Sequence, residues 1–548
     1  MGPTGDDGTA PGLRKLLDDV FADPEAQAAF EDQRERDELW LSLVKARGER
    51  PQRDVAAAMG TTQSAVSDLE QGKVDPRIST LQRYARAVGR TLQLSLRSPR
   101  EAFSMAAAAA VADSYWTASV LRSLYQGPAA RQTPPRVANR LGLPEEAVDM
   151  TLSHLVQQGW ITRARHGLGE SGFSIRKNRA LAIGVSVTRG GLLGVLTDLD
   201  AARAVNSVSI PLDDSSPTTV VRQAAGLVKA LRSDLERPDA SLLGLGVCLA
   251  GLVDGPTGTV QFAPDLASDN HPWKQVPLEA ELEKATGLRT VVENDANALA
   301  IREHLRDPSL GSFSVILLSR SGEGVGAGII SDGRIVRGSD GSAGEIGHLI
   351  VRPGISERCR CGRAEAGCLE MVSSVGAIAR RVNQQRGLAS TSLAEALQAI
   401  VRGDRAAISS LEDSAYALGT VISYTAAILG SARVYLVGPD ALVEENGPVG
   451  QLFMDAIKGC VRRSLELKTE VLGRSLQVDT EALAAAAVAV NHFLDRPLRW
   501  DPSISPRVEQ YQPYYREALH LLNTGDLGQS VAGPASTGLG HVGAIIDQ

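Results

Sequence analysis

The chain reads as a multidomain protein in which two small, mainly helical modules precede one large α/β domain. Three observations lead there. At 548 residues it exceeds the roughly 250–300 residues at which a single hydrophobic core stops growing. Between positions 38 and 160 apolar residues recur at helical spacing in short segments. From Leu181 onward, short apolar runs such as LAIGVSV, GLLGVLTD, LLGLGVCLA and FSVILLS alternate with helical stretches and end in glycine, as strands joined by helices do. Hydrophobic residues at 43% and charged residues at 22% exclude a mostly disordered or fibrous chain. No apolar run reaches the ~20 residues of a membrane span and no basic-then-apolar leader opens the chain, so a cytoplasmic location with no membrane partner is expected.

Residues 1–37 form an acidic leader. Residues 45–100 then carry eleven Lys and Arg against five Asp and Glu, the local positive charge that binding a phosphate backbone needs. Within 38–98, Pro51 opens a helix whose Val55, Ala56 and Met59 share a face. Gly60 stops it, and Thr61 and Thr62 offer caps for a second helix, Gln63 to Gln71. Two short helices around a glycine turn make a helix-turn-helix. The stretch QRDVAAAMGTTQSAVSDLEQGKVDPRISTLQRYARAVG resembles the phage-repressor (XRE-like) DNA-binding domain nearly throughout. The resemblance implies that Gln63, Ser64 and Ser67 face the major groove of double-stranded DNA, where Gln pairs bidentately with adenine. It implies phosphate contacts for Gln52 and Lys73. Asp68 fits poorly, since a carboxylate facing the groove repels phosphate.

Residues 101–178 are expected to form a winged helix-turn-helix: three helical segments precede a β-ribbon that begins at Trp160 and Ile161. Its third helix, PEEAVDMTLSHLVQQG, has no Lys or Arg, so the usual phosphate anchors are missing there. Arg163, Arg165 and His166 in the wing remain candidates for DNA contact.

Three of the five cysteines fall within ten residues, in GEIGHLIVRPGISERCRCGRAEAGCLE. His348, Cys359, Cys361 and Cys368 supply one imidazole and three thiols, a soft donor set suited to a closed, structural zinc site with no position left for an activated water. This loop, together with VVENDANALA, GEGVGAGII and GSAGEIGH, resembles the ROK family (repressors, open reading frames, kinases) over about Leu181 to Leu494. The family has an actin-like ATPase fold of two α/β lobes, here assigned to 181–494. One departure is visible: four residues, Arg363 to Ala366, stand where the family commonly has two.

The resemblance places Gly251, Asn294, Asp295, Glu345, His348 and Glu370 in a sugar pocket, with Ala250 beside it. His348 would serve metal and sugar with different nitrogens, and Asp295 would be the general base of a kinase. The nucleotide side departs from the family. Ser186 replaces the aspartate of the first phosphate loop, whose glycine pair is displaced to Gly190 and Gly191. Glu323 stands where the second loop has a hydroxyl, and Pro439 replaces a glycine near the adenine pocket. The expectation is a homodimeric or higher-order DNA-binding regulator that senses a sugar without phosphorylating it. The alternative is an ATP-dependent sugar kinase with appended DNA-binding modules. Residues 495–548 lose the α/β pattern and read as a tail with little structure of its own.

Overall fold

The computed structural model describes residues 43–90, 115–127, 132–501 and 504, except 45, 49, 72, 75–76, 167–169, 213, 234–240, 269–271, 320–321, 355–358, 360, 363–366, 390 and 464–467. The expected acidic leader lies outside the described residues. The chain divides into two compact units, Met1–Ala102 and Phe103–Gln548.

In the first unit, helix α1 (Gln52–Met59) ends where Gly60 adopts φ 66°, a left-handed cap that glycine takes without strain. Helix α2 (Gln63–Glu70) starts with the Thr62 side chain accepting from the Ala65 backbone N–H at 3.2 Å. Val55, Met59, Val66 and Leu69 pack with Leu81 and Tyr84 of α3 (Ile78–Ala87) into one small core. Glu70 is buried at its edge and accepts from Arg47 (2.8 Å), Gln52 (2.9 Å) and Tyr84 (2.5 Å). Burial pushes the Glu70 pKa up, but the bonds from Tyr84, Gln52 and Arg47 together outweigh it, so the carboxyl stays below its ordinary range.

In the second unit, a helical stretch over 115–126 leads to α4 (Pro134–Leu141) and α5 (Glu145–Gln157). An antiparallel ribbon follows, β1 (Ile161–His166) on β2 (Glu170–Ile175), completing the order of a winged helix. This module shares a core with the α/β domain beside it. Trp160 stacks on Phe493 at 5.0 Å, Arg122 bonds Asn491 and Asp495, and the Tyr125 hydroxyl donates to the Leu199 carbonyl.

The α/β domain has two lobes. The first holds β3 (Ala180–Thr188), β4 (Gly191–Asp198), β5 (Asn206–Pro211), β6 (Ser241–Leu249) and, at the far edge, β10 (Thr290–Asn294), ordered β10-β6-β3-β4-β5. Beside it lie the small sheet β7 (Leu252–Asp254), β8 (Thr259–Phe262) and β9 (Lys274–Val276), and helices α6 (Pro217–Ser233) and α7 (Leu278–Thr286). Helix α8 (Asp295–Arg306) leads to the second lobe, ordered β13-β12-β11-β14-β15, from β11 (Phe313–Leu318), β12 (Val325–Ser331), β13 (Arg334–Ile335), β14 (Arg433–Gly438) and β15 (Glu470–Ser475). Helices α9 (Val375–Gln385), α10 (Arg405–Leu429) and α11 (Pro448–Arg463) cover that sheet.

Helix α12 (Thr480–Asp495) then returns to the first lobe. Its run of small residues, EALAAAAVAV, follows from the surface it meets. A Cβ on Gly184 would lie 1.9 Å from the Ala482 carbonyl, and one on Gly246 would lie 1.8 Å from that of Ala485. Strand glycines and helix alanines together let the two backbones touch. The expected tail is corrected at its start: a helical turn at Pro497–Trp500 continues the domain, Leu498 and Ile504 are buried, and Trp500 lies against Gly244. The rest of the tail is outside the described residues.

Gly246→Val should destabilise the protein by about 1–3 kcal/mol through overpacking. Gly226→Ala, exposed within α6 with no atom within 4 Å of its added Cβ, should stabilise it by about 0.5–1 kcal/mol. Denaturant midpoints of the two variants check both signs.

Candidate functional site

The site is assembled from loops of both lobes. On the first, β10 ends at Asn294, whose side chain caps α8 by accepting from the Asn297 N–H at 3.1 Å and donates to the Gly251 carbonyl at 3.1 Å. A Cβ at Gly251 would lie 2.7 Å from the Phe262 carbonyl, so only glycine lets the strand ends meet there. Asp295 is the first residue of α8, with its carboxylate in a cleft. Burial, and then the nearby charge of Glu481, push its pKa up to about 7.

On the second lobe, Gly344 holds φ 94° and a Cβ there would lie 1.9 Å from the Ala327 carbonyl. That close approach seats the following turn, Ile346–His348, against β12. His348 Nε2 faces Glu345 at 3.7 Å, and Nδ1 lies 3.4 Å from Cys359 Sγ and 3.6 Å from Glu370. Glu370 is buried and accepts from the Cys359 thiol at 2.9 Å. Burial pushes the Glu345 carboxyl up, His348 opposes that, and Glu370 adds to it.

His348, Cys359, Cys361 and Cys368 offer ligand atoms all within 4.8 Å of one another. A tetrahedral ion with metal–sulfur bonds of about 2.3 Å requires sulfurs about 3.8 Å apart. Cys361 and Cys368 stand at 3.8 Å. The four residues therefore fit a metal ion, with Nδ1 of His348 as its nitrogen donor. Glu370, expected in the sugar pocket, lies beside this cluster, 2.9 Å from Cys359 and 3.6 Å from Nδ1 of His348.

A cleft of about 320 Å³ lies beside Asp295, walled by Ser186, Thr188, Cys248, Ala250, Ser319 and Glu323. Sequence reasoning missed two more of its residues, Asp265 and Glu481, which stand beside Arg189 in its lining; only their folding neighbours bring them in. Gly190 and Gly191 serve a tight β3–β4 turn, with Thr188 paired to Gly191. The exposed Arg189 donates to the carbonyls of Asp265 (2.7 Å) and Ala267 (3.3 Å). Glu323 is not the bare carboxylate that the sequence suggested: Arg380 pairs with it at 2.8 Å, so its repulsion of phosphate is partly compensated. Pro439 precedes a helical turn at Asp440–Val443.

In the first unit Gln63, Ser64 and Lys73 are exposed, and the half-buried Ser67 accepts from Gln71 at 3.1 Å. The Gln52 side chain, at the start of α1, donates one of its two amide N–H groups to Glu70 at 2.9 Å. Arg163 is exposed, with its guanidinium over the Phe173 ring at 5.6 Å. The side chains of Arg165 and His166 lie outside the described residues. No helix among the described residues is long and apolar enough to cross a membrane.

Two stacked lobes with a cleft between phosphate-type loops define an actin-like sugar-kinase fold. The sequence profile of the ROK family matches residues 182–491, and a helix-turn-helix profile matches 45–94; the chain belongs to the ROK family. It is 35% identical over 182 residues to the glucokinase of Halalkalibacterium halodurans, covering 33% of this chain but only about half (52%) of that relative. It is 22% identical over 365 residues to the xylose repressor of Bacillus subtilis, covering 66% of this chain and 91% of the repressor. A crystal structure of a ROK family transcriptional regulator, a homolog of the E. coli MLC protein, superposes with a TM-score of 0.61 at 20% identity, over 72% of this chain and 99% of that one. That likeness confirms the fold.

Cys361→Ser should lower bound metal well below one ion per chain, read by metal analysis of the purified protein. Asp295 carries a raised pKa, so its contribution to stability is full below about pH 4 and is lost as pH rises through about 7. Asp295→Asn should therefore melt higher than wild type at pH 8 and close to it at pH 4; thermal scans at both pH values check the sign.

Proposed function

We propose that the chain is a transcription regulator that binds double-stranded DNA through residues 45–94 and whose ROK domain binds a sugar or sugar derivative without phosphorylating it. One contrast carries the reading: Gly251, Asn294, Asp295, Glu345, His348 and Glu370 keep the sugar side of the family's site, whereas Ser186 and the tight Arg189-Gly190 turn occupy its phosphate side. Phosphoryl transfer relies on positioned metal and phosphate contacts, so a retained base does not restore it. The presence of an N-terminal helix-turn-helix profile and the xylose repressor among the relatives support the regulatory half of the reading.

In this proposal one zinc ion sits at His348, Cys359, Cys361 and Cys368 and ties the cysteine loop to the turn carrying Glu345. His348 then presents Nε2 toward Glu345 and the sugar hydroxyls. Glu370, 3.6 Å from Nδ1 of His348, stays in the proposed sugar pocket: a zinc-bound Cys359 is a thiolate and no longer donates to it, which frees the carboxylate for a sugar hydroxyl. Gln63, Ser64 and Ser67 read bases, Lys73 holds phosphate, and Arg163 and Arg165 reach the backbone from the wing. A single such helix covers a short half-site, so the chain works as a homodimer on an inverted repeat in the cytoplasm. Asp295 favours a second reading, a sugar kinase, because it stands at the first turn of α8 where a general base belongs.

Operator titrations followed by fluorescence anisotropy, with and without D-glucose, D-xylose and N-acetylglucosamine, test the proposal. At least one sugar should shift operator affinity; an affinity unmoved by all three contradicts it. In the same assay Gln63→Ala should lose about 1–3 kcal/mol on the operator and little on random DNA.

A further inference from the structure

We infer that Arg337 is a positioning residue that holds the two halves of the sugar site in register, a step that rests on the sugar-binding reading above. The halves belong to different lobes: Asn294 and Asp295 end β10 and begin α8, whereas Glu345 and His348 follow β13. Arg337 touches both. Its Nη2 donates to Glu293 Oε2 at 2.5 Å, and its backbone carbonyl accepts from the Ala343 N–H at 3.1 Å, two residues before Glu345.

Glu293 is 1% exposed. Its other oxygen accepts from the Asn294 backbone N–H at 2.9 Å and from the Asn297 side chain at 3.1 Å. The carboxylate thus sets the residue that caps α8 and, through it, the direction of Asp295. A buried carboxylate needs its cation, so Glu293 and Arg337 are bound to move together. The stem of Arg337 lies against Gly255, where a Cβ would stand 2.5 Å from Nε. Only glycine fits beside the arginine there, as it runs from the loop of the second lobe to the strand end of the first. Relative shift of the lobes is thereby transmitted to Asn294 and Asp295 on one side and to the Glu345 turn on the other. Neither half of the site reorganises alone.

The test uses the full chain and thermal shift with D-glucose, D-xylose and N-acetylglucosamine, followed by calorimetric titration of the best ligand. Arg337→Met should melt lower than wild type and bind that sugar at least tenfold more weakly. Arg337→Lys, which keeps the charge, should recover part of the affinity. Glu293→Gln with Arg337→Met removes the stranded charge, so it should regain melting temperature over Arg337→Met without regaining sugar affinity. A residue with a merely structural role would recover both together. Affinity within twofold of wild type in Arg337→Met overturns the inference, as does affinity that returns with stability in the double variant, which also decides the matter if the single variant does not fold. If wild type binds none of the three sugars, the sugar-binding reading fails and this inference fails with it.

Discussion

His348 has a thiol 3.4 Å from one ring nitrogen and a carboxylate 3.7 Å from the other, and this division of a single imidazole joins the cysteine loop to the turn carrying Glu345. Imidazole is rigid, so whatever holds Nδ1 sets the direction of Nε2. The ring is itself set by backbone: Gly344 and Gly347 bring their turn against the carbonyls of Ala327 and Val325, with no room for a Cβ at either. Strand β12, turn, imidazole and cysteines form one continuous support. Glu370, buried behind the ring, completes it by accepting from Cys359.

The cleft next to this support is asymmetric. Next to Asp295 stand capped and buried groups: Asn294 is fixed at both ends of its amide, and Glu293 accepts from the Asn294 backbone N–H. The end of the cleft at the β3–β4 junction is built differently, with a two-residue hairpin turn and an arginine that donates to carbonyls in its own lobe. Carboxylates of Asp265, Asp295 and Glu481 share the cleft. Desolvation and mutual repulsion drive Asp295 toward its neutral form, which makes it a hydrogen-bond donor as well as an acceptor near neutral pH.

Much of the fold was readable from sequence because its signals are local. The caps at Gly60 and Thr62, the period of α1 and α2, and the glycine-ended strands each depend on a few adjacent residues. The cluster of His348, Cys359, Cys361 and Cys368 was readable for the same reason, since three of the four lie within ten residues. What escaped depends on partners distant in sequence. Arg380 is 57 residues from the Glu323 it neutralises, and Arg337 is 44 from Glu293. Gln52 donates to Glu70, 18 residues on, a partner that no local signal announces. Trp160 looked like the start of a ribbon, and only the fold brings Phe493 against it and joins the winged module to the α/β core. The small residues of α12 had no visible cause before Gly184 and Gly246 were placed under them.

The central claim is that the sugar side of the site works while its phosphate side does not. A coupled assay of ATP-dependent phosphorylation, run on D-glucose, D-xylose and N-acetylglucosamine at concentrations that shift the melting temperature, tests it most directly. The account predicts a sugar-dependent shift with no turnover above the protein-free background. Turnover near the roughly 1–100 s⁻¹ of kinases, abolished by Asp295→Asn, would contradict it.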